Sequence, residues 1–495
     1  MLDVSRSDLT AGVAGCGTMG RGIAQVLAQC GIRTLIYDAQ PGAAQRGLDS
    51  IAQALARLAE KGRVDDPEAI KRRIEVVTGL ESLSPCHLVI EAIVEDLGAK
   101  RTLFSELEGM VSEDCILASN TSSLSVTAMA AGCKRPGRVA GYHFFNPVPV
   151  MKIVEVVDGV LTEPSVSDAL TQLAKRFGHA PIRCKDTPGF VVNHAGRAFV
   201  PEALRILSEG IADPASIDRI LVDVAGFRIG PFGLMDLVGL DVNHAVMKSM
   251  YHQYFEEPKY QPSFIVEPRV AAGLHGRKTK RGWYTYSPEV QMPGEAPAPR
   301  SKPAAVWAVP ELKELLIELG ARPELKPTAD AVCFIAPLGL DATAAALEQG
   351  LDPTRTVAVD PLFGFAKRRT LMATPVTKRE VRDAAHALLA ADRVPVSVIN
   401  DSAGFVAQRV VAHIVNVSCD IAQMRIATPE DLDRAVTLGL GYPKGPLAMG
   451  DALGAKKILA ILQAMHELYQ EPRYRPSPWL RRRAHLGVSL LTPEN

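Results

Sequence analysis

The stretch "HFFNPVPVMKIVEVV" sets one histidine, His143, twelve residues ahead of one carboxylate, Glu155, which sits in a run of branched apolar residues. "KIVEVV" reads as a β-strand, and burying an unpaired acid there costs roughly several kcal/mol. A histidine resolves the conflict. If Glu155 accepts one ring N–H, the tautomer is fixed and the imidazolium formed on taking up a proton has a counter-charge beside it, as a general base requires. Asn146 and Pro147 force a turn three residues after His143, so the ring falls at a strand end, where open parallel sheets bind their ligands. The plain alternative is a structural histidine.

"GVAGCGTMGRGIA" supplies Gly15-x-Gly17-x-x-Gly20 after a predicted strand and at the start of a helix. Glycines there allow the tight turn and the approach of a pyrophosphate to the helix N-terminus. A second strand, "RTLIYD", ends in Asp38, eighteen residues past Gly20, where an acid binds ribose hydroxyls. A carboxylate repels a ribose phosphate and no Arg follows, which favours NAD over NADP; otherwise Asp38 caps the next helix. Ser122, in "ASNTSSL", lies at the same sheet edge and suits either a substrate oxygen or a polar turn that caps a helix.

These residues need a scaffold. The first 180 or so residues alternate β-rich runs with helical stretches, which predicts a parallel sheet with crossover helices. A charged, Ala-rich helical excursion lies between Pro41 and Leu80. After "DTPGF" helices dominate up to "GWYTY", and a Pro/Ala-rich stretch then reads as a linker. Beyond it the chain repeats itself: "DTPGFVVNHAGRAFVPEAL" at 186 returns as "DSAGFVAQRVVAHIVNVSC" at 401, about 215 residues on. The expected fold is therefore an α/β Rossmann-type domain (1–184), an all-α domain (185–290), a linker (291–328), a degenerate partial Rossmann-like segment (329–400) and a second helical copy (401–495). The second copy carries Gln408 where the first has Asn193, and lacks both the Gly loop and a His/Glu pair, so one active site per chain is expected.

Lys+Arg and Asp+Glu both number 55, and this zero formal charge argues against a nucleic-acid or membrane-surface partner. No apolar run approaches the ~20 residues of a membrane span. Eight scattered cysteines show neither metal spacing nor a disulfide framework, and the start of the chain shows no basic-then-apolar leader, so a cytoplasmic setting without metal is expected.

"GCGTMGRGIA", "EAIVEDLGAK", "ASNTSSL", "GYHFFNPVPVMKIVEVV", "DTPGFVVN", "GPFGLMDLVGLD" and "KTKRGWYTY" together resemble the NAD-dependent L-3-hydroxyacyl-CoA dehydrogenases over residues 8 to 290, and the second copy extends the likeness almost to the end. The resemblance implies reversible oxidation of an L-3-hydroxyacyl-CoA to the 3-ketoacyl-CoA. His143 would be the general base, Glu155 its partner, and Ser122 and Asn193 the substrate-binding groups. It assigns Gly15, Gly17, Gly20, Asp38, Glu95, Lys100 and Asn146 to NAD. Lys61 and Arg63 would approach the CoA nucleotide, unless they are a solvated helix face. The length resembles stand-alone enzymes that act on 3-hydroxybutyryl-CoA, or on 3-hydroxyadipyl-CoA in phenylacetate breakdown. In short relatives the helical domain forms the dimer interface, so the chain is expected to be a monomer with an internal pseudo-dimer or a homodimer. Two competing readings are a dehydrogenase of a free hydroxy or sugar acid, and a non-catalytic dinucleotide-binding structural protein.

Overall fold

Short buried runs of branched residues build the first sheet. β1 (Thr10–Ala14), β2 (Arg33–Tyr37), β3 (Ile74–Val76), β4 (Leu88–Glu91), β5 (Ile116–Ser119), β6 (Val139–Phe144), β7 (Ile153–Asp158) and β8 (Ala180–Lys185) lie in the order β3-β2-β1-β4-β5-β6-β7-β8. The computed structural model describes residues 2–287, 294–295 and 297–494. Every residue of β1, β4, β5 and β6 is buried, as expected of strands covered on both faces. The helices Thr18–Gln29, Ala43–Glu60 and Pro164–Arg176 contribute Ile23, Leu27, Ile51, Leu55, Leu170 and Leu173 to the same core.

Two features differ from the sequence reading. The excursion between Pro41 and Leu80 is not wholly helical, because "IEV" leaves it as edge strand β3. The sheet is also mixed: β7 runs antiparallel to β6, since the connection from Phe144 to Ile153 is shorter than the dozen or so residues a crossover needs. This reversal sets His143 directly opposite Glu155 in the ladder.

The chain divides into two units. The first runs through His194 and also takes in Met424–Leu440; the second holds Ala195–Gln423 and the chain from Gly441 on. Residues 401–495, read as one domain, are thus shared between them. Within the first unit, the free edge of β8 is met by this returning segment. Lys185 N donates to Ile426 O at 2.9 Å, and the Arg434 guanidinium donates to Pro181 O at 2.6 Å.

The second unit has its own sheet: β9 (Val306–Ala308), β10 (Val332–Ile335), β11 (Thr356–Val359), β12 (Arg369–Ala373) and β13 (Val396–Ile399), in the order β13-β12-β11-β10-β9. β11 and β12 are antiparallel, as β6 and β7 are. β9 and the helix Pro310–Glu318 fall inside the stretch 291–328 assigned to a linker, so the degenerate sheet starts earlier than its composition implies. Residues 288–293 and 296 of the boundary and linker lie outside the described residues.

The two helical copies meet on buried charge. Glu202, on the helix Val200–Ser208, and Arg409, on Ala407–Gln423, have fully buried side chains 2.5 Å apart. Arg473 and the Tyr474 hydroxyl also reach Glu202, at 3.1 and 2.6 Å. Burial alone would raise the Glu202 carboxyl; the Arg409 and Arg473 charges overcome it and hold the group well below the usual carboxylate range. Lys259 pairs with Asp420, and Arg205 with Glu471. These partners draw on a further repeat, "EPKY" at 257 and "EPRY" at 471.

The second copy keeps the shape of a site without its chemistry. Asp360 stands where the first copy has His143, and its backbone N–H donates to Thr370 O, opposite. Asp360 Oδ1 accepts from Gln408 Nε2 at 2.9 Å and from Leu362 N at 3.0 Å, whereas Oδ2 and the Thr370 hydroxyl find no partner among the described residues. Burial pushes the Asp360 carboxyl up to about 6, against the pull of those two hydrogen bonds. A carboxyl raised in the folded state holds a proton that the unfolded chain has released, so stability falls as pH rises from the ordinary carboxylate range through 6 and stays lost above it. Asp360→Asn keeps an acceptor and removes the charge. It should raise the thermal midpoint at pH 7.5, by an equivalent of ~1–3 kcal/mol, and leave it unchanged at pH 4. A variant less stable than the parent at pH 7.5 contradicts this account.

Candidate active site

His143 sits at the end of β6 and Glu155 in the middle of β7, and antiparallel pairing brings Nδ1 to 2.7 Å from Oε2. Glu155 is fully buried and His143 nearly so. The other carboxylate oxygen, Oε1, accepts from the backbone N–H groups of Val191 and Val192 at 3.0 and 2.9 Å. Those amides converge because the "PGF" turn takes left-handed conformations at Gly189 (φ 75°) and Phe190 (φ 50°). Glu155 is therefore satisfied on both oxygens, which is what a buried carboxylate needs. The imidazole packs against Phe145 and Phe190, with ring centroids 4.4 and 5.8 Å away.

His143, with Nδ1 taken by Glu155, lines a cavity of about 360 Å³ together with Met19, Glu95, Lys100, Ser122, Asn146 and Asn193. The Asn193 amide donates to Ser122 O at 3.5 Å, so the two expected substrate-binding residues meet across this cavity. Ser122 does not cap the following helix; Ser125 does. Glu95 gathers the loop, accepting from the Thr121 hydroxyl at 2.7 Å and from the amides of Ser122 and Ser123 at 3.0 and 3.2 Å. Burial works against the Glu95 charge, but Lys100 and these donors prevail and hold its carboxyl below the usual range. Lys100, itself buried, spans Glu95 at 3.1 Å and Glu91 at 2.6 Å. Glu91 closes this network by accepting from the Ser119 hydroxyl and Ile93 N.

The Gly-rich loop fits a dinucleotide. Gly15 has φ 100°, and a Cβ there would stand 2.5 Å from Ala92 O; one at Gly20 would stand 1.7 Å from Gly15 O. At Gly17 a Cβ would meet no atom within 4 Å, so that position opens a cradle at the start of the helix Thr18–Gln29, where N–H groups point outward. Asp38 closes the loop from the end of β2, accepting from Cys16 N at 2.8 Å and Gln40 N at 2.9 Å. The next helix, Ala43–Glu60, is capped by Gly42, which leaves Asp38 to the loop.

A second cavity, about 390 Å³, lies between the helices Thr18–Gln29 and Ala43–Glu60 and the Asn146–Val150 turn. Lys61 and Arg63 line it together with Arg21, Arg57 and Ser50, and Asn146 borders both cavities. Four cations around one cavity suit a polyphosphate.

This layout has known counterparts. Sequence profiles described as "3-hydroxyacyl-CoA dehydrogenase, NAD binding domain" and "3-hydroxyacyl-CoA dehydrogenase, C-terminal domain" match residues 10–187 and residues 189–286 with 404–489. The chain belongs to the 3-hydroxyacyl-CoA dehydrogenase family. It is an NAD-dependent oxidoreductase, and the C-terminal profile matches it twice. It is 37% identical, over 96% of its length and 98% of the relative's, to a 3-hydroxyadipyl-CoA dehydrogenase of Escherichia coli K12. A crystal structure of an E. coli K12 3-hydroxybutyryl-CoA dehydrogenase superposes with a TM-score of 0.86 at 36% identity, covering 97% of this chain and 98% of that one. A probable 3-hydroxybutyryl-CoA dehydrogenase of Deinococcus radiodurans is 41% identical over 56% of this chain and 99% of its own. Among the described residues no helix is long and apolar enough to cross a membrane.

Sequence reasoning missed several groups around these two cavities. Glu91 and Asn120, whose Oδ1 accepts from Phe144 N at 2.9 Å, steady strand ends around the cavity. Arg21 and Arg57 look like ordinary charges on two different helices; the four-residue spacing of Arg57 and Lys61 puts those two on one face, and nothing local points to Arg21.

Proposed function

We propose that the protein oxidises an L-3-hydroxyacyl-CoA reversibly to the 3-ketoacyl-CoA, with His143 as general base and Glu155 as its partner. The observation that carries this reading is the 2.7 Å contact between Nδ1 and a fully buried carboxylate, which leaves Nε2 to the cavity shared by Ser122 and Asn193. Ser122 and Asn193 hold the substrate oxygen. His143 Nε2 takes the hydroxyl proton as the C3–O bond becomes a carbonyl, and the Glu155 charge balances the imidazolium that results. Bound NAD supplies the acceptor for the hydride leaving C3. Gly15, Gly17, Gly20 and Asp38 would hold its adenosine and pyrophosphate end; Glu95, Lys100 and Asn146 would border the nicotinamide end.

The cations Arg21, Arg57, Lys61 and Arg63 support a CoA thioester over a free hydroxy or sugar acid. The satisfied Glu155 supports an enzyme over a structural protein, because His143 opens to a cavity that a purely structural pair would not need. We place the substrate among short or dicarboxylic acyl groups, as in the names of the full-length relatives, 3-hydroxyadipyl-CoA and 3-hydroxybutyryl-CoA dehydrogenase. Metabolism of fatty acids or of phenylacetate would then be its setting, and free thiols such as Cys16, Cys86 and Cys115 support a reducing cytoplasm. The buried pairing of the two helical copies supports a chain that carries its own dimer partner.

An NADH-linked assay across 3-ketoacyl-CoA esters of increasing length, with 3-ketoadipyl-CoA and free 3-keto acids alongside, tests this reading. The expected order is short and dicarboxylic esters first, long-chain esters well behind and free acids barely turned over. Comparable rates with free acids would overturn the CoA assignment, and a long-chain preference the acyl assignment.

A further inference from the structure

Glu155 is held from two sides, by His143 and by the amides of Val191 and Val192, and the second side rests on something outside the first domain's own sequence. The Val192 side chain is buried against Gly439: a Cβ added there would stand 2.9 and 3.0 Å from Val192 Cγ1 and Cγ2. Gly439 lies in the last turn of the helix Pro429–Leu440, which by sequence belongs to the second helical copy. That helix is anchored on β8 through Arg434, and the segment leading into it through Ile426 O. Glycine inside a helix costs about 1 kcal/mol relative to alanine, so its place calls for a reason. The first copy has Val224 at the matching position, 215 residues earlier.

We infer that the second helical copy, having lost its own chemistry, serves the first site: the helix Pro429–Leu440 braces the turn that presents the Val191 and Val192 amides to Glu155, and Gly439 is a positioning residue for the His143–Glu155 pair. The inference rests on reading that pair as the proton-accepting dyad. A methyl at position 439 must move Val192, a β-branched side chain one bond from the amide that bonds Glu155. The two amides share the negative charge of Oε1, and loosening them leaves more of it to be balanced by a protonated His143.

Gly439→Ala in the full chain should lower kcat ~10-fold or more, as displacements of fractions of an ångström at a reacting centre do. The acid limb of the pH–kcat profile should move to higher pH, with NADH affinity by fluorescence unchanged. Adding Val192→Ala should recover most of both effects relative to Val192→Ala alone, because the smaller side chain makes room. The inference is overturned if kcat and the acid limb stay put, if the double variant shows no relief, or if kcat falls only in step with the thermal midpoint while the pH profile is unmoved. His143→Gln separates the two levels: a silent Gly439→Ala beside a dead His143→Gln refutes the brace alone, whereas an active His143→Gln removes the dyad and the brace with it.

Discussion

His143→Gln should lower kcat by ~10²–10⁴-fold, the usual contribution of a positioned general base, and leave NADH binding in place. Glutamine fills similar volume and its amide can still meet Glu155 Oε2, so the strand pair β6/β7 and the Gly-rich loop keep their geometry. What disappears is a group able to take the hydroxyl proton. Glu155→Gln removes the charge and reverses the hydrogen bond to Nδ1, because the glutamine NH2 that then faces the ring donates and leaves the neutral imidazole's proton on Nε2. The glutamine carbonyl can still accept from Val191 and Val192, but the imidazolium that forms during oxidation loses its counter-charge. The acid limb of the pH–rate profile should therefore move to lower pH, opposite to the shift for Gly439→Ala, while kcat falls. Stopped-flow and steady-state rates with NADH titrations measure all three quantities. Turnover by His143→Gln within a factor of a few of the parent would take the histidine out of the reaction.

The dyad was legible because a lone carboxylate in a branched, apolar strand is expensive unless something nearby compensates, and the one histidine at a neighbouring strand end supplies the compensation. The Gly loop and Asp38 were legible for a similar reason, since their residue types are demanded by backbone geometry rather than by packing. The other half of the carboxylate's environment was not. Backbone amides such as those of Val191 and Val192 carry no residue type, and only the Gly189-Phe190 turn hints at where they point. The antiparallel turn-back at β7 lay in loop length, and β9 was hidden because "AVWAV" is short and flanked by proline. The return of Met424–Leu440 to the first sheet has no local signal at all. It is a tertiary event between segments more than two hundred residues apart, as Lys185 and Ile426 are.

Arg409→Met should destabilise the folded chain by about 3–5 kcal/mol, the cost of leaving one member of a buried ion pair unpartnered. Glu202 would stay fully buried with only Arg473 and Tyr474, and Glu209 would lose contacts of 2.7 and 2.9 Å. The group that suffers most is Glu202, whose carboxyl the two arginines hold far below its ordinary range against burial. A carboxyl depressed in this way stabilises the fold above the ordinary carboxylate range and loses that contribution as pH falls, so the variant should lose less on acidification than the parent does. Adding Glu202→Leu to Arg409→Met should return part of the stability: it removes the unpaired buried carboxylate, but it also takes the 3.1 Å partner from the buried Arg473. Because Glu202 belongs to the first helical copy and Arg409 to the second, the same series reports on the internal dimer. Light scattering on Arg409→Met should find new association between chains as the exposed first copy seeks a partner. A variant as stable and as monodisperse as the parent would show that the two copies do not depend on each other.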